Sequence, residues 1–331
     1  MINSVRNTVL AIANKNNYGY ISPQDFNLYA QQAQMDLFED YFYQYNAWTN
    51  KENQRLSGTG YADIVKGLVE VIDSFSVTRS LAQQGANLFN LPSDYYLINK
   101  VNYYPIQITS GTSTAAALNK LTDTNATFVT SGVKVGQQVV NTTASSSYSG
   151  FSGFVISVDS ETQLTLSYSP FGVAATIGNS YGIFNATGVL EVERVNQNKI
   201  FYLNNSPLTA PSTGFPAYVL GGATSSVIGD SNTGQLGNTI TVYPITIIIN
   251  GSVAAEYIRY PLSPKWTYQS LNSGEPLFDA NQADYQDFEL PSSDEPGIVA
   301  KICQYIGIEI RESDVYQFGK TEEVQNNQIQ T

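Results

Sequence analysis

Residues 14–63 read NKNNYGYISPQDFNLYAQQAQMDLFEDYFYQYNAWTNKENQRLSGTGYAD, a long polar and aromatic helix between two loops. Ser22 followed by Pro23 marks its start: the serine hydroxyl accepts an early backbone N–H, and proline needs no donor at the first helical position. Asp25 then sits in the positively polarised first turn. Phe26, Tyr29, Ala33, Leu37, Tyr41, Tyr45 and Trp48 recur at three- and four-residue steps, which puts them on one face. The opposite face carries Gln31, Gln32, Asp36, Glu39, Asp40 and Gln44. A face of Tyr and Trp suits a wall that is partly exposed or shared with a neighbouring chain. A surface helix lying on its own domain core is the plainer alternative.

Upstream, Val5, Val9 and Ile12 predict a short amphipathic helix, followed by a loop over Asn16 to Ile21. Downstream, Leu56 to Gly60 predicts a turn, and a third helix carries Tyr61, Ile64, Val65, Leu68, Val69 and Ile72 on its buried side. Strands follow at Ser76 to Leu81 and, after the Leu91-Pro92 turn, at Tyr95 to Tyr104. The stretch from Thr109 to Thr187 is rich in Ser, Thr, Gly, Val and Ala, with short strand candidates at Ala126–Val129, Val139–Thr142, Gly153–Ser157 and Gln163–Ser167. Beyond it, Val189–Val195 and Ile200–Leu203 read as a hairpin around Asn196 and Asn198. Ile240–Ile249 reads as a buried strand that returns through an Asn250-Gly251 turn as Val253–Tyr260. A last helix is expected at about Asp294 to Gly307, with Asp294, Glu295 and Pro296 at its start.

The expected fold class is therefore α+β: an N-terminal helical, bundle-like unit, a β-rich core with an inserted small barrel or sandwich module, a C-terminal helix and an extended tail. The predicted division is 1–104 for the helical unit with the first strands, 105–187 for the inserted module, 188–310 for completion of the β-rich core with the terminal helix, and 311–331 for a C-terminal arm rich in Gln and Asn.

Composition excludes much chemistry. Sixteen Lys and Arg against 28 Asp and Glu leave a net charge of −12, which disfavours direct phosphate binding. Histidine is absent, which removes the commonest general base and the commonest metal ligand. The single Cys303 allows neither an internal disulfide nor a Cys-based zinc site, and its apolar surroundings (Ile298 to Ile306) suit a small buried hydrophobe. No segment has the apolar length of a membrane span, and the N-terminal stretch lacks a signal-peptide pattern, so synthesis in the cytoplasm is expected.

Two carboxylate groups could carry chemistry. Asp36, Glu39 and Asp40 lie close on one helical face, but catalytic pairs normally project from separate elements into a cleft. Asp279, Asp284, Asp287 and Glu289 could surround a structural cation, yet their spacing departs from the EF-hand pattern and lacks its glycine. No catalytic, cofactor-binding or metal-ligating residue is assigned. The sharpest local feature is Glu256-Tyr257-Ile258-Arg259-Tyr260, where strand alternation puts Tyr257 and Arg259 on one face. Arg and Tyr are favoured at interfaces. Tyr41, Tyr45, Trp48, Tyr257, Arg259, Tyr260 and Trp266 are accordingly the candidate interface residues; an intrachain ion pair is the plainer role for Arg259.

Several stretches resemble the head-to-tail connector (adaptor or ring) proteins of crAss-like tailed bacteriophages and their relatives. They are Asn16-Asn17-Tyr18-Gly19-Tyr20-Ile21-Ser22-Pro23, Asp25-Phe26-Asn27, Phe38-Glu39-Asp40-Tyr41-Phe42 and Gly58-Thr59-Gly60-Tyr61-Ala62-Asp63, then Glu191-Val192-Glu193-Arg194-Val195, Ser206-Pro207-Leu208, Glu256-Tyr257-Ile258-Arg259-Tyr260-Pro261 and Ile308-Glu309-Ile310-Arg311-Glu312. The skipped segment resembles a small β module inserted into many phage structural proteins, on Phe128, Gly132-Val133, Val135-Gly136, Val139, Val155, Val158, Leu164-Thr165-Leu166 and Tyr181. The resemblance implies a structural virion protein without enzymatic activity or cofactor. It implies a homo-oligomeric ring of twelve-fold symmetry that binds the portal protein and further tail or ring proteins, with DNA only as cargo passing through the channel. The alternative is another virion component, a capsid decoration or a receptor- or glycan-binding tail protein. A carboxylate-dependent glycosidase is a third reading.

Overall fold

The computed structural model describes residues 1–13, 21–54, 64–144, 146–172, 177–221, 238–270 and 275–309, with Gln317, Lys320, Thr321 and Val324. The loops expected at Asn16 to Tyr20 and Leu56 to Gly60, and the C-terminal arm apart from those four residues, lie outside the described residues. In chain order the elements begin with α1 (Ile2–Ala13), α2 (Pro23–Gln54) and α3 (Ile64–Asp73). Strands follow as β1 (Ser76–Ser80), β2 (Ala82–Gly85), β3 (Leu88–Asn90), β4 (Tyr95–Tyr103), β5 (Gln107–Thr112), β6 (Ala115–Ala117), β7 (Lys120–Thr122), β8 (Gln138–Asn141), β9 (Ser152–Val158), β10 (Gln163–Leu166), β11 (Ser180–Phe184), β12 (Leu190–Glu191) and β13 (Glu193–Arg194). Then come α4 (Gln197–Asn204), β14 (Ala217–Leu220), β15 (Thr239–Tyr243), β16 (Val253–Arg259), β17 (Tyr268–Ser270), β18 (Pro276–Phe278) and α5 (Glu295–Glu309). The fold is α+β, and the chain forms two compact units: Met1–Phe75 with Tyr260–Thr331, and Ser76–Arg259.

In the first unit the start of α2 follows its sequence. Ser22 Oγ accepts the Asp25 N–H at 3.1 Å, the serine hydroxyl donates back to the Asp25 carboxylate, and Phe26 N–H reaches Ser22 O at 3.0 Å. The buried stripe of α2 is Phe26, Ala30, Ala33, Gln34, Phe38 and Tyr41, turned slightly from the predicted one: Tyr29 and Leu37 flank it, and Tyr45 and Trp48 are half-buried. α5 packs against both α1 and α2 and is buried nearly all round, through Ile298, Val299, Ala300, Ile302, Cys303 and Ile306.

The second unit holds two β structures. Sheets β1-β16-β4-β12 and β13-β14-β15-β3-β2 enclose one core that includes Leu81, Phe89, Val101, Ile240, Val242 and Tyr257. Residues 107–184 interrupt the connection between the neighbouring antiparallel strands β4 and β12 and fold as a seven-stranded antiparallel sheet, β5-β11-β8-β9-β10-β7-β6. Its strands turn one face inward onto their own core, among them Leu121, Val139, Val155, Leu164, Tyr181 and Ile183, so the sheet curls as a half-barrel whose end strands stay apart. The insertion is fixed to its host. Ser80 N–H donates to Gly150 O at 3.0 Å, and Gly150 (φ +76) lies so close to Ser80 that a Cβ would overlap its carbonyl oxygen. Asn250 bridges the two, with Nδ2 donating to Thr142 O at 3.2 Å and Oδ1 accepting Gln83 N–H at 3.1 Å.

Three local expectations fail here. The predicted hairpin at 189–203 is replaced by two dipeptide strands in different sheets, parted at buried Val192, and by the helix α4. A short apolar run such as Ile200 to Leu203 has no period that separates helix from strand. The predicted strand Ile240–Ile249 stops at Tyr243, because Pro244 has no N–H for a ladder. The chain after Gly251 then joins β4 and β1 as β16 instead of pairing back on β15. Finally, Ala126–Val129 is not a strand but runs into a turn closed by Val133 N–H on Phe128 O at 2.9 Å.

Candidate interaction surfaces

Of the seven predicted interface residues, three are interior. Trp266 is 2% exposed. The guanidinium carbon of Arg6 lies 3.9 Å from the centre of its ring system, and Tyr268 and Phe278, paired across β17 and β18, stack on it with centroids at 5.6 and 5.8 Å. Its Nε1 donates to Asn3 Oδ1 at 3.1 Å. Asn27 clamps its backbone, Oδ1 accepting the Trp266 N–H at 2.8 Å and Nδ2 donating to its carbonyl at 3.2 Å. Tyr257 is fully buried in the two-sheet core and donates to Asp94 Oδ1 at 2.9 Å; burial pushes its phenol well above the ordinary range. Tyr41 is buried and donates to the Asp94-like partner of its own unit, the Asp294 carboxylate just before α5.

The other four are half-buried: Tyr45 and Trp48 on the second half of α2, Arg259 at the end of β16, and Tyr260, whose ring centroid lies 6.3 Å from that of Phe38. Strict alternation along 256–260 fails because β16 shifts register against β4 between Glu256 and Tyr257 and again between Ile258 and Arg259. Tyr257 and Ile258 are consequently both buried, and Glu256 accepts Asn102 Nδ2 at 2.8 Å.

Neither carboxylate group assembles into a site. Asp36 is half-buried, taking the Tyr305 hydroxyl from α5 and Gln32 Nε2 at 3.1 Å, so it belongs to the α2–α5 contact and not to a solvated face. Asp40 binds Gln44 at 2.8 Å. In the second group each member serves a different partner. Asp279 accepts the Asn281 N–H at 2.9 Å, Asp284 pairs with Lys265, and Glu289 accepts the Leu262 N–H at 2.7 Å. Asp287 accepts the Met1 ammonium at 2.9 Å and the Ile2 and Phe288 N–H groups at 2.7 and 2.8 Å. Burial works against the Asp287 charge, but these bonds outweigh it and hold the carboxyl below its ordinary value. Asp294 has the opposite fate, burial raising it. No group of three or more His, Cys, Asp or Glu among the described residues is placed to hold a metal ion, and no helix among them is long and apolar enough to cross a membrane.

The exposed apolar residues are elsewhere. In the second unit Phe201 and Tyr202 on α4 are 67% and 73% exposed, and Leu208 and Phe215 in the following loop 94% and 85%. α4 buries only Ile200, against Val195, Ala217 and Val219. On the outer face of the inserted sheet, Phe154 and Ile156 alternate outward on β9, and Tyr168 is half exposed. In the first unit α2 exposes Leu28 and Tyr43. The Phe201-Tyr202 pair was hidden in sequence by the strand reading of the same run. No protein-family model and no curated protein matches this chain.

Proposed function

We propose that this chain is a non-enzymatic structural protein of a tailed-bacteriophage virion, a head-to-tail connector that forms a ring below the portal and joins it to the tail. The observation that carries the reading is the exposed aromatic and aliphatic group Phe201, Tyr202, Leu208 and Phe215, which includes one of the stretches, Ser206-Pro207-Leu208, on which the resemblance rests. Large apolar side chains exposed to this degree in one segment suit a protein–protein contact. A closed ring needs two different complementary faces on each subunit. The α4 segment supplies one, and the half-buried Tyr45 and Trp48 with exposed Tyr43 on α2 are assigned to the other. The net charge of −12 suits a channel that lets DNA pass without retaining it.

Negative-stain microscopy of the purified protein, alone and with a portal protein, tests this. Rings of twelve-fold symmetry are expected, and protein that stays monomeric under both conditions overturns the reading. A second reading, a decoration or glycan-binding tail protein, is favoured by the outward Phe154, Ile156 and Tyr168 on the inserted sheet. Binding of the full chain to host surface glycans, lost on Phe154→Ser, would select it.

A further inference from the structure

The inserted half-barrel has a polar cleft of about 390 Å³ where its outer face meets the host loop at Ile249 and Asn250. The cleft follows from the register of neighbouring segments. Tyr181 and Ile183 of β11 turn into the half-barrel core, so Ser180 and Gly182 turn outward. Thr112 of β5 lies opposite Ser180, and Asn141 lies opposite Tyr181, which sets Thr142 on the other side of Ser180 with its N–H on Ser180 O at 3.0 Å. Directly opposed residues share a face, so the hydroxyls of Thr112, Ser180 and Thr142 form a row across the sheet. In the next row Ser110 lies opposite Gly182, whose missing side chain leaves room for the Gln107 amide: a Cβ there would meet Gln107 Nε2 at 3.3 Å.

These polar groups serve nothing inside the protein. Among the described residues, the side chains of Gln107, Ser110, Thr112, Thr142 and Ser180 make no hydrogen bond to another residue. Ser110 and Thr112 are exposed and the others half-buried. Hydroxyls elsewhere on the insertion are engaged: Thr165 and Ser157 donate to Asp159, Ser167 accepts the Phe154 N–H, and Thr143 accepts the Ser180 N–H. The facing wall is fixed, because Asn250 commits its side-chain amide to Thr142 O and the Gln83 N–H, and Ile249 adds an aliphatic surface. No charged side chain lines the cleft.

We propose that this cleft binds a neutral sugar residue. Hydroxyl side chains both donate and accept, as sugar hydroxyls do, and the Gln107 amide adds donors and an acceptor. Ile249 suits the C–H face of a pyranose ring. With no charge in the lining, nothing offsets the desolvation of a uronic acid, a phosphate or an amine, and such ligands are rejected. The volume stands at the small end of ligand clefts, which run from about 300 to 1,000 Å³, and suits a free sugar or the terminal residue of a glycan. The inference stands apart from the ring reading, since a ring subunit and a monomer carry the same cleft. It also places the sugar on a different surface from Phe154 and Ile156.

Saturation-transfer NMR on the full chain tests it, because the method reads weak binding to a monomer and to a ring alike. The probes are glucose, galactose, mannose and N-acetylglucosamine, with glucuronate as the charged control and maltotriose and chitotriose as glycan ends. At least one neutral sugar is expected to bind, about tenfold more weakly when Thr112→Val is combined with Ser180→Ala, and not at all when Ser110→Trp fills the cleft. The replaced side chains have no partner in the protein, so thermal unfolding should stay at its wild-type midpoint. A trisaccharide that binds about tenfold tighter than its monosaccharide identifies a glycan end as the ligand, and equal binding identifies the free sugar. The proposal is overturned if no neutral sugar binds, if glucuronate binds as well as they do, or if binding survives both cleft variants. Binding that Phe154→Ser abolishes and the cleft variants spare moves the sugar to the outer face of β9 and overturns it as well. Whether the same sample forms rings leaves each of these outcomes unchanged, so the two readings fail separately.

Discussion

The helical unit and the β unit differ in charge, with 29 charged residues among 147 in the first and 15 among 184 in the second, and they also use their polar side chains differently. In the helical unit, amides and hydroxyls hold distant parts of the chain together. Asn27 clamps Trp266, Gln34 bridges Leu262 O (2.7 Å) and the Glu289 N–H (3.1 Å), Tyr305 in the second half of α5 binds Asp36 of α2, and Tyr41 of α2 binds Asp294 just before α5. In the β unit, backbone ladders do most of this work, and apolar cores close each sheet from within. Side chains such as Asn250 and Asn87 add long-range bonds there too, but among the described residues the outer edge of β5 pairs with no strand. Polar residues that look like surface in sequence are thus structural within the helical unit, while the β unit relies more on its ladders.

Truncating the centre of the helical unit breaks that comparison most directly. Trp266→Ala removes a buried indole stacked on three side chains, and a loss of about 3–5 kcal/mol is expected from chemical denaturation. Hydrogen exchange in the ladders of β4 and β16 should stay at its wild-type rate, because those strands draw on a separate core; equal weakening of both units would show that the cores are not independent.

Polar truncations sharpen it at a smaller scale. Gln34→Ala removes the side chain that bonds two backbone groups of the helical unit and should cost about 1–3 kcal/mol. Thr112→Ala on the open edge of β5 should stay within about 0.5 kcal/mol in the same measurement, as surface changes do. A Gln34→Ala cost no larger than that of Thr112→Ala would erase the distinction.

Asp287 and Asp294 give the comparison a pH dependence within the helical unit. The folded value of Asp287 is lowered, so its contribution is present above the unfolded value and is lost as pH falls through the folded one. The folded value of Asp294 is raised, so its contribution is present below the unfolded value and is lost as pH rises through the folded one. Urea midpoints between pH 7 and pH 3 should show Asp287→Asn as the weaker protein at pH 7, with the gap closing on acidification. Asp294→Asn, which keeps an acceptor for Tyr41, should be the more stable protein at pH 7, with its gain fading toward low pH. The same sign for both variants would contradict the opposite shifts.

The smallest effect is kinetic. Cys303 is fully buried on α5, and burial pushes its thiol up to about 12. An aromatic disulfide reagent should label it only at the unfolding rate of the helical unit, and prompt labelling in the native protein would mean that α5 opens locally.

Much of the fold is legible in the sequence where one residue type settles a local question. Ser22-Pro23 starts α2, the apolar run from Ile298 to Ile306 marks a helix buried on most sides, and the valines and glycines of the insertion mark its strands. The interface candidates were less legible. Tyr and Trp patterns say that a side chain is amphipathic but not which partner it meets, and for Trp266 the partners are Arg6, Tyr268 and Phe278 of its own chain. For Tyr257, two register shifts broke the alternation from which its outward face was inferred.

By itself, then, the sequence determined the α+β class, the place and start of the long helix, the presence of a β insertion, and the absence of imidazole and paired-thiol chemistry. These follow from local periodicity, turn residues and composition, each of which acts over a few residues or over none in particular. Only the tertiary structure decided that β16 pairs with β4 and β1, that Asp36 and Asp294 face tyrosines, that Trp266 is a core residue, and that among the described residues β5 has a strand on one side only. Those outcomes depend on which distant segments compete for the same backbone groups and the same apolar surface, and that competition is resolved only when the chain packs.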